Sequence, residues 1–258
     1  MINICIPSLN RPELLKETTL KLLVNLPDDF KIYIFLSESD SRYEGLGTIV
    51  VTNIKGIGKT RTFIRNYFSV GEKIIQLDDD LKDICSTDRY FDLFTFFRSM
   101  FVTMEKEKVK FAGCTPHSNE FYMKEDYSTN LKYSGGHLIA EIIRENPIVV
   151  NINHYEDYVA NILYWVRDKK LLRFNNIYVK TKYYNPEGGI VETYGSLEKR
   201  KEAADHLATE LEELFTKDIC AKYKKKKYAV FNLRLKSQRK WRGDFIHLEA
   251  KFNQKYSE

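Results

Sequence analysis

Apolar runs of strand length alternate with helix-like segments along most of the chain, a pattern typical of an α/β layer architecture. The pattern predicts a long aromatic helix from Asp88 or Asp92 to Glu107, and further helices at 12–23, 59–68, 155–169 and 196–215. Asn10 suits the N-cap of the first helix and Pro12 suits its first turn. A polar, tyrosine-rich loop is expected at 121–134, and strands are predicted at 2–6, 31–36, 48–52, 73–77, 109–114, 137–144, 147–152, 171–181 and 228–235.

Composition places the chain among ordinary globular proteins. Its 258 residues are 43% hydrophobic and 30% charged, which allows a core that needs no disulfides. The four cysteines (Cys5, Cys85, Cys114 and Cys220) form no C-x-x-C pair, which argues against a zinc site and favours a reducing cytoplasm. Residues 1–7 lack the features of a signal peptide, and no stretch reaches about 18 uninterrupted apolar residues, so no membrane span is expected.

The net charge of +5 is distributed unevenly, because the stretch 222–242 is rich in Lys and Arg and contains no acidic residue. Such a block suits an anionic partner (nucleic acid, acidic lipid or substrate phosphate), or it forms a solvated surface. Aromatic residues lie among the charges: Tyr223 and Tyr228 flank Lys225 and Lys226, and Trp241 follows. This mixture suits a phosphate backbone whose bases stack on the rings.

Three consecutive aspartates, Asp78, Asp79 and Asp80, follow directly on the apolar strand at 73–77. Ligands of open α/β sheets bind beyond the carboxyl ends of the strands. Hard divalent cations prefer oxygen ligands and share them with substrate phosphates. If the chain stays extended, Asp78 and Asp80 point to the same side and can hold Mn²⁺ or Mg²⁺ against a diphosphate. Clustered carboxylates repel one another without a cation. An acidic turn that caps the next helix is the alternative.

A second candidate site lies at 53–61, between a strand and a helix, where Gly58, Lys59 and Thr60 resemble the end of a phosphate-binding P-loop. The full pattern requires glycine at position 53, where this chain has Asn53. A P-loop kinase with Asp78 as its magnesium-holding acid is therefore a rival interpretation.

Taken together, the motifs at 4–14, 37–40, 58–66 and 78–80 resemble, in their order, the nucleotide-sugar half of glycosyltransferases with the GT-A fold, especially those of family two. The resemblance implies a single α/β domain over 1–258, with a GT-A (Rossmann-like) mixed sheet flanked by helices and an irregular C-terminal portion. Residues 1–115 would form the nucleotide-sugar and metal half, and 116–258 the acceptor half with its basic C-terminal segment. The implied donor-binding residues are Pro7, Ser8, Asn10, Arg11, Glu38, Gly58, Lys59, Arg61, Arg65, Asp78 and Asp79.

Later motifs extend the resemblance. Gly135 and Gly136 fit a glycine-rich turn on the acceptor side, although an ordinary β-turn also explains them. Glu156 and Asp157 open a predicted helix and resemble the E-D motif of inverting members, whose acid is the catalytic base, although helices favour an acidic first turn anyway. A C-terminal histidine often adds a metal ligand in such enzymes. His247 in a flexible tail is preferred here over His206 inside a helix, with a solvated or packed histidine as the alternative.

The reaction implied is transfer of a sugar from a nucleoside diphosphate, with UDP-glucose as the preferred donor, to an acceptor hydroxyl with inversion. The basic end, including Lys225, Lys226 and Trp241, further resembles GT-A enzymes that glycosylate hydroxymethylpyrimidines in the DNA of phages and kinetoplastids. This resemblance implies DNA as a partner. It also implies a cytoplasmic location, which is the host cytoplasm if the protein is viral. Glycan, lipid or protein acceptors and a non-catalytic nucleic-acid-binding protein are alternatives, and the sequence leaves the oligomeric state open.

Overall fold

The fold is described by a computed structural model over residues 1–116, 118–119, 121, 123, 126–181, 197–225, 230–235 and 246–256, with backbone alone at 197, 200, 216–218, 221–225, 230–235 and 246. Its strands are β1 (Ile2–Ser8), β2 (Phe30–Leu36), β3 (Thr48–Val51), β4 (Lys73–Leu77), β5 (Leu81–Ser86), β6 (Phe111–Thr115), β7 (Tyr127–Ser128), β8 (Gly135–Ile142), β9 (Leu172–Thr181), β10 (Cys220–Lys225) and β11 (Val230–Leu235). Its helices are α1 (Pro12–Glu17), α2 (Thr19–Leu22), α3 (Ile57–Tyr67), α4 (Leu93–Glu107), α5 (Glu156–Asp168), α6 (Leu197–Ile219) and α7 (Ile246–Tyr256).

Nine strands form one mixed sheet in the order β3-β2-β1-β4-β8-β6-β9-β5, with β7 paired to β9. β3, β2, β1 and β4 are parallel to one another, whereas β8 runs antiparallel to both β4 and β6. Because its direction is reversed, β8 begins at the edge of the sheet where β1, β2 and β4 end. The backbone N–H of Asp78, just past β4, accordingly donates to the carbonyl of His137 at the start of β8 (3.1 Å).

Alternate residues of the central strands face two different helical layers, as the two-residue period of a strand requires. Ile4 and Ile6 of β1 pack into a core that α4 fills with phenylalanines and methionines, whereas Cys5 between them packs against α3. Further along the sheet, Ile139 of β8 joins a core built on α5, α6 and α7. Helices therefore cover both faces of the sheet, as the alternating pattern predicts.

Several elements differ from the sequence prediction. The helix predicted at 12–23 is interrupted at Thr18, which separates α1 from α2. β5 follows the aspartates directly where no strand was expected, and α6 continues to Ile219 before the unpredicted strand β10. The stretch 147–152, predicted as a strand, lies outside the sheet. It forms part of a strap, residues 147–154, that crosses the N-terminal turns of α3, where the Thr62 hydroxyl bonds both the carbonyl (3.0 Å) and the N–H (2.9 Å) of Val150.

The C-terminal part that the structure describes consists of α6, the antiparallel pair β10–β11, and α7, which packs on α5 and α6. The expectation of a flexible tail at His247 is wrong, because this residue lies in the first turn of α7. None of the described helices is both long and apolar enough to cross a bilayer.

Candidate active site

The aspartate turn, residues 78–80, joins β4 to β5 at the carboxyl edge of the parallel strands. Asp79 points into the protein and is only 1% exposed. Its carboxylate accepts a hydrogen bond from the Ser8 hydroxyl (2.6 Å) and forms an ion pair with Arg11. Burial raises the pKa of Asp79 to about 6, although the charge of Arg11 opposes the shift. Ser8, Arg11 and Asp79, all expected to bind the donor, are thus engaged with one another, and they fasten the turn to the end of β1.

Asp78 lies on the accessible side of the turn and is held by an arginine and a histidine. Its Oδ1 accepts from Nη2 of Arg61 (2.7 Å), and its Oδ2 lies 2.7 Å from Nδ1 of His137. Burial raises the pKa of Asp78, but the hydrogen bond from His137 and the charge of Arg61 outweigh it and hold the pKa below its ordinary value. Burial lowers the pKa of His137, yet Asp78 reverses the effect and raises it. The pair is therefore stabilised as imidazolium and carboxylate.

Asp80 differs from its two neighbours because no side chain among the described residues forms a hydrogen bond or a close ion pair with it, although the charges of Arg11 and His137 act on it from a longer distance. The residue is partly buried. Burial first, and the negative charge of Asp78 second, raise its pKa. A carboxylate that is desolvated and repelled by a neighbouring carboxylate is stabilised by any cation that comes within reach.

A second acidic group lies at the start of α5, opposite the aspartate turn. Oδ2 of Asp157 accepts from the N–H of Gly136 (3.2 Å) and from the hydroxyl of Tyr133, and Oδ1 accepts from the N–H of Tyr158 (2.8 Å). The ring of Tyr133 stacks on Tyr158 with centroids 3.9 Å apart. Burial, and then the charge of Asp157, raise the pKa of Tyr133 well above its usual value, so its hydroxyl stays a donor. The orientation of Asp157 is therefore fixed.

Arg61 lies between the aspartate turn and the acidic start of α5. Its side chain is 3% exposed and lies between Asp78 and Glu156, whose Oε1 is 4.0 Å from Nε of the guanidinium. Nε and Nη1 of Arg61 have no hydrogen-bond partner among the described residues. Burial and the neighbouring Asp157 raise the pKa of Glu156 to about 8. Arg61 was expected to bind the donor; in the structure its guanidinium is buried between Asp78 and Glu156.

Two further residues expected at the donor site have structural roles instead. Gly58 is buried beneath the strap, where a Cβ atom would lie 1.9 Å from the carbonyl oxygen of Ile152. Arg65 is 1% exposed, and its Nε donates to Glu141 (2.8 Å) inside the protein. The glycine is therefore needed for helix–strap packing and the arginine for a buried ion pair, so neither is placed to contact a nucleotide.

The remaining residues expected at the donor site lie on different elements. Pro7 lies near the end of β1, Glu38 is exposed just after β2, and Lys59 is exposed on α3. Asn10 does not cap a helix; it adopts a left-handed conformation (φ 54°) in the loop before α1, whose N-cap is Arg11.

Positions expected on the acceptor and metal side are also spread out. Gly135 and Gly136 open β8 beside Asp157. Lys225 ends β10, whereas Lys226 and Trp241 lie outside the described residues. His247 lies on α7, where Glu249 forms an ion pair with Arg167. Arg167 is in the last turn of α5, whereas Asp157 is in the first turn of that helix.

The sequence prediction missed His137 and Tyr133, which contact the two acidic groups directly. His137 was assigned to a strand and Tyr133 to a loop, on either side of the Gly-Gly pair. The only local signal was their closeness to that pair. The antiparallel pairing of β4 with β8, which brings His137 to Asp78, cannot be derived from local sequence patterns.

The acidic groups of the site suit a divalent cation that is shared with a substrate. Among the described residues, no group of three or more His, Cys, Asp or Glu side chains forms a cage for an ion. Mg²⁺ and similar hard cations are usually held by one or two carboxylates plus substrate phosphates rather than by such a cage. Asp80, whose carboxylate has no close side-chain partner among the described residues, and the nearby Asp78 fit that mode.

Comparison with known proteins bears on the fold. No protein-family model and no curated protein sequence matches the chain. Among solved structures, residues 1–349 of TarS from S. aureus align over 82% of this chain and 65% of theirs, with 13% identity and a TM-score of 0.50. The mannosyltransferase PcManGT from Pyrobaculum calidifontis, solved with GDP-Man and Mn²⁺, aligns over 83% and 64%, with 12% identity and a TM-score of 0.47. The chain thus spans slightly less than two thirds of the length of these two structures. The mixed sheet flanked by helices is the GT-A fold that the sequence predicts.

Proposed function

We propose that this chain transfers a sugar from a nucleoside-diphosphate donor to an acceptor hydroxyl, with Mn²⁺ or Mg²⁺ held by Asp80 and Asp78. The proposal depends on one observation: Asp80, a partly buried carboxylate that no described side chain hydrogen-bonds or closely pairs, lies at the carboxyl edge of a GT-A sheet. Ligands of open α/β sheets bind at this edge. When bound, the cation would neutralise charge on the leaving diphosphate.

The protein's own groups have separate tasks in this proposal. Arg61 and His137 hold Asp78 ionised and fixed, and Arg11 and Ser8 hold the turn through Asp79. Asp157 is the proposed general base, which accepts the proton of the acceptor hydroxyl. Attack by that hydroxyl from the side opposite the diphosphate would invert the anomeric centre.

The orientation of Asp157 supports its role as base. Hydrogen bonds from Tyr133 and Gly136 set the direction of its carboxylate. Positioned general bases contribute roughly 10²–10⁴-fold to rate. Asp157→Asn should therefore lower kcat by about that factor with little change in the KM for the donor. A variant with unchanged kcat would remove Asp157 from this role.

A thermal-shift screen of nucleoside diphosphates and their sugars, with and without Mn²⁺, tests the donor and the cation together. A ligand that binds only the folded state raises Tm by mass action. We expect one nucleotide series, UDP-glucose being the first candidate, to raise Tm only when Mn²⁺ is present. Asp80→Asn should abolish the shift, whereas Asp83→Asn, an exposed acid in β5 paired with Lys180, should retain it. Shifts that appear only with ATP and survive Asp80→Asn would instead support the kinase interpretation.

The acceptor is a separate part of the proposal. The basic stretch 222–242 motivates DNA bearing hydroxymethylpyrimidines, with Lys225, Lys226 and Trp241 as contacts. Binding through phosphates weakens steeply as salt rises. DNA affinity that does not change between low and high salt, or no glucosylation of hydroxymethylated DNA in the presence of the correct donor, would exclude this acceptor and leave glycan, lipid or protein hydroxyls.

A further inference from the structure

The break between α1 and α2 lies directly against the aspartate turn. Hydrophobic spacing predicts one helix over 12–23, but Thr18 leaves helical geometry with φ −121° and ψ −94°. Its hydroxyl approaches the carbonyl of Leu14, four residues earlier. Such back-bonding by threonine tends to bend helices. The interruption turns two consecutive threonine hydroxyls towards residues 78–81.

Thr19 is fully buried, and its hydroxyl bridges the two ends of the turn. It donates to the carbonyl of Asp78 (2.7 Å) and accepts from the N–H of Leu81 (3.0 Å). In an ordinary four-residue turn, the carbonyl of the first residue and the N–H of the fourth bond each other directly. Here the hydroxyl of Thr19, which belongs to a different element, bonds both the carbonyl and the N–H in place of that direct hydrogen bond.

Thr18 contacts the next peptide of the same turn. Its Oγ1 lies 3.0 Å from the carbonyl oxygen of Asp79. A hydroxyl has a single hydrogen to donate. The carbonyls of Asp79 and Leu14 therefore share one donor, which makes this contact weaker than the bridge made by Thr19.

Hydrogen bonds from the helix break therefore hold the two peptide groups, 78–79 and 79–80, that orient the aspartate side chains. We infer that Thr19, assisted by Thr18, is a positioning residue that presets Asp78 and Asp80 for a divalent cation; this inference rests on the proposed function. Residues behind metal ligands commonly change metal affinity by roughly 10–100-fold when they are replaced. Thr19→Val keeps the shape of the side chain and removes both hydrogen bonds. Thr19→Ser keeps the hydroxyl.

The test is a titration with Mn²⁺ alone, read from the electron paramagnetic resonance signal of the free ion. It uses the full chain as wild type, Thr19→Val, Thr19→Ser, Thr18→Val and Asp80→Asn. Thr60→Val is the matched control, because Thr60 is also buried and donates only to Gly56 within its own segment. Thermal unfolding in EDTA reports separately on folding. We expect Kd for Mn²⁺ to rise about tenfold or more in Thr19→Val, less in Thr18→Val, and to stay near wild type in Thr19→Ser and Thr60→Val.

The outcomes distinguish the positioning role of Thr19 from the cation site itself. Wild-type binding of Mn²⁺ that is lost in Asp80→Asn but unchanged in Thr19→Val overturns the positioning role and leaves the proposed function standing. No binding by wild type, or equal binding by Asp80→Asn, overturns the cation site itself and the inference with it. If Thr19→Val does not fold, the Thr18→Val variant provides the test. A Kd for Mn²⁺ equal to that of Thr60→Val would then contradict the inference.

Discussion

Glu156 and Arg61 face each other inside the site. The raised pKa of Glu156 predicts how the stability of the protein changes with pH. The pKa of Glu156 is raised from 4.5 to about 8, by burial first and by Asp157 second. Between these values the folded protein keeps a proton that the unfolded chain releases. This contribution to stability is complete below the unfolded pKa and is lost as the pH rises through the folded pKa. Glu156→Gln carries the neutral form at every pH. The free energy of unfolding of the variant minus that of wild type should therefore increase from pH 5 to pH 8, as measured by urea denaturation.

An exposed glutamate provides the control for this comparison. Glu44 lies on the surface after β2, and Glu44→Gln should give a difference that does not change over the same pH range. A flat difference for Glu156→Gln as well would mean that Glu156 is ionised in the folded protein at neutral pH.

At the level of residues, the acids proposed for the site carry a local sequence signal, whereas the side chains that contact them do not. Asp78, Asp80 and Asp157 were predicted because a run of carboxylates after a strand, or an acid at a helix start, is a local signal. Arg65 and Gly58 were assigned to the donor because they lie beside those motifs, yet both are buried. Burial of an arginine depends on its partner, Glu141, which is distant in sequence and therefore invisible to local patterns.

Four elements meet at one buried polar network, which connects α3, β4 and β8 and approaches α5. Both oxygens of Glu141 are used: one accepts from Arg65 (2.8 Å) and the other from Gln76 (2.7 Å). Burial alone would lower the pKa of Arg65, but Glu141, and Tyr164 of α5, reverse this and raise it. The same elements carry Arg61, His137 and Asp157, and Asp78 directly follows β4. The network therefore joins the supports of the site.

Breaking this network should destabilise the whole fold. Arg65→Met leaves Glu141 as an uncompensated charge in the interior, which costs about 3–5 kcal/mol of unfolding free energy. The measurement is the urea midpoint at neutral pH. Arg98→Met removes the exposed ion pair with Asp29 and should leave the midpoint almost unchanged. Equal effects of the two substitutions would contradict a structural role for the buried pair.

Elements with strong periodicity were predicted correctly, and those set by tertiary contacts were not. β1, β2, β4 and α5 follow their apolar patterns closely. The helix break at Thr18 and the strap at 147–154 depend on hydrogen bonds to the aspartate turn and to Thr62, respectively. Neither partner can be identified from residue spacing within the segment itself.

The molecule as a whole is held together by cores on both faces of the sheet, and two of the three aspartates already have side-chain partners. Asp78 is paired with Arg61 and His137, and Asp79 with Arg11. Removal of divalent cations with EDTA should therefore leave the far-ultraviolet circular dichroism unchanged and the unfolding transition cooperative. Loss of secondary structure in EDTA would mean that a metal is needed for folding.

The reversed direction of β8 has a consequence for how such a protein can diversify. His137 reaches Asp78 through strand pairing, although the two residues are 59 positions apart in the chain. Much of the chain between them is fixed, because it contains Asp79 and Asp80 and because β6 pairs with β8 inside the sheet. The exposed residues 87–90, between β5 and α4, belong to no strand of that sheet, so a new recognition surface can be grafted there without moving Asp78 or His137.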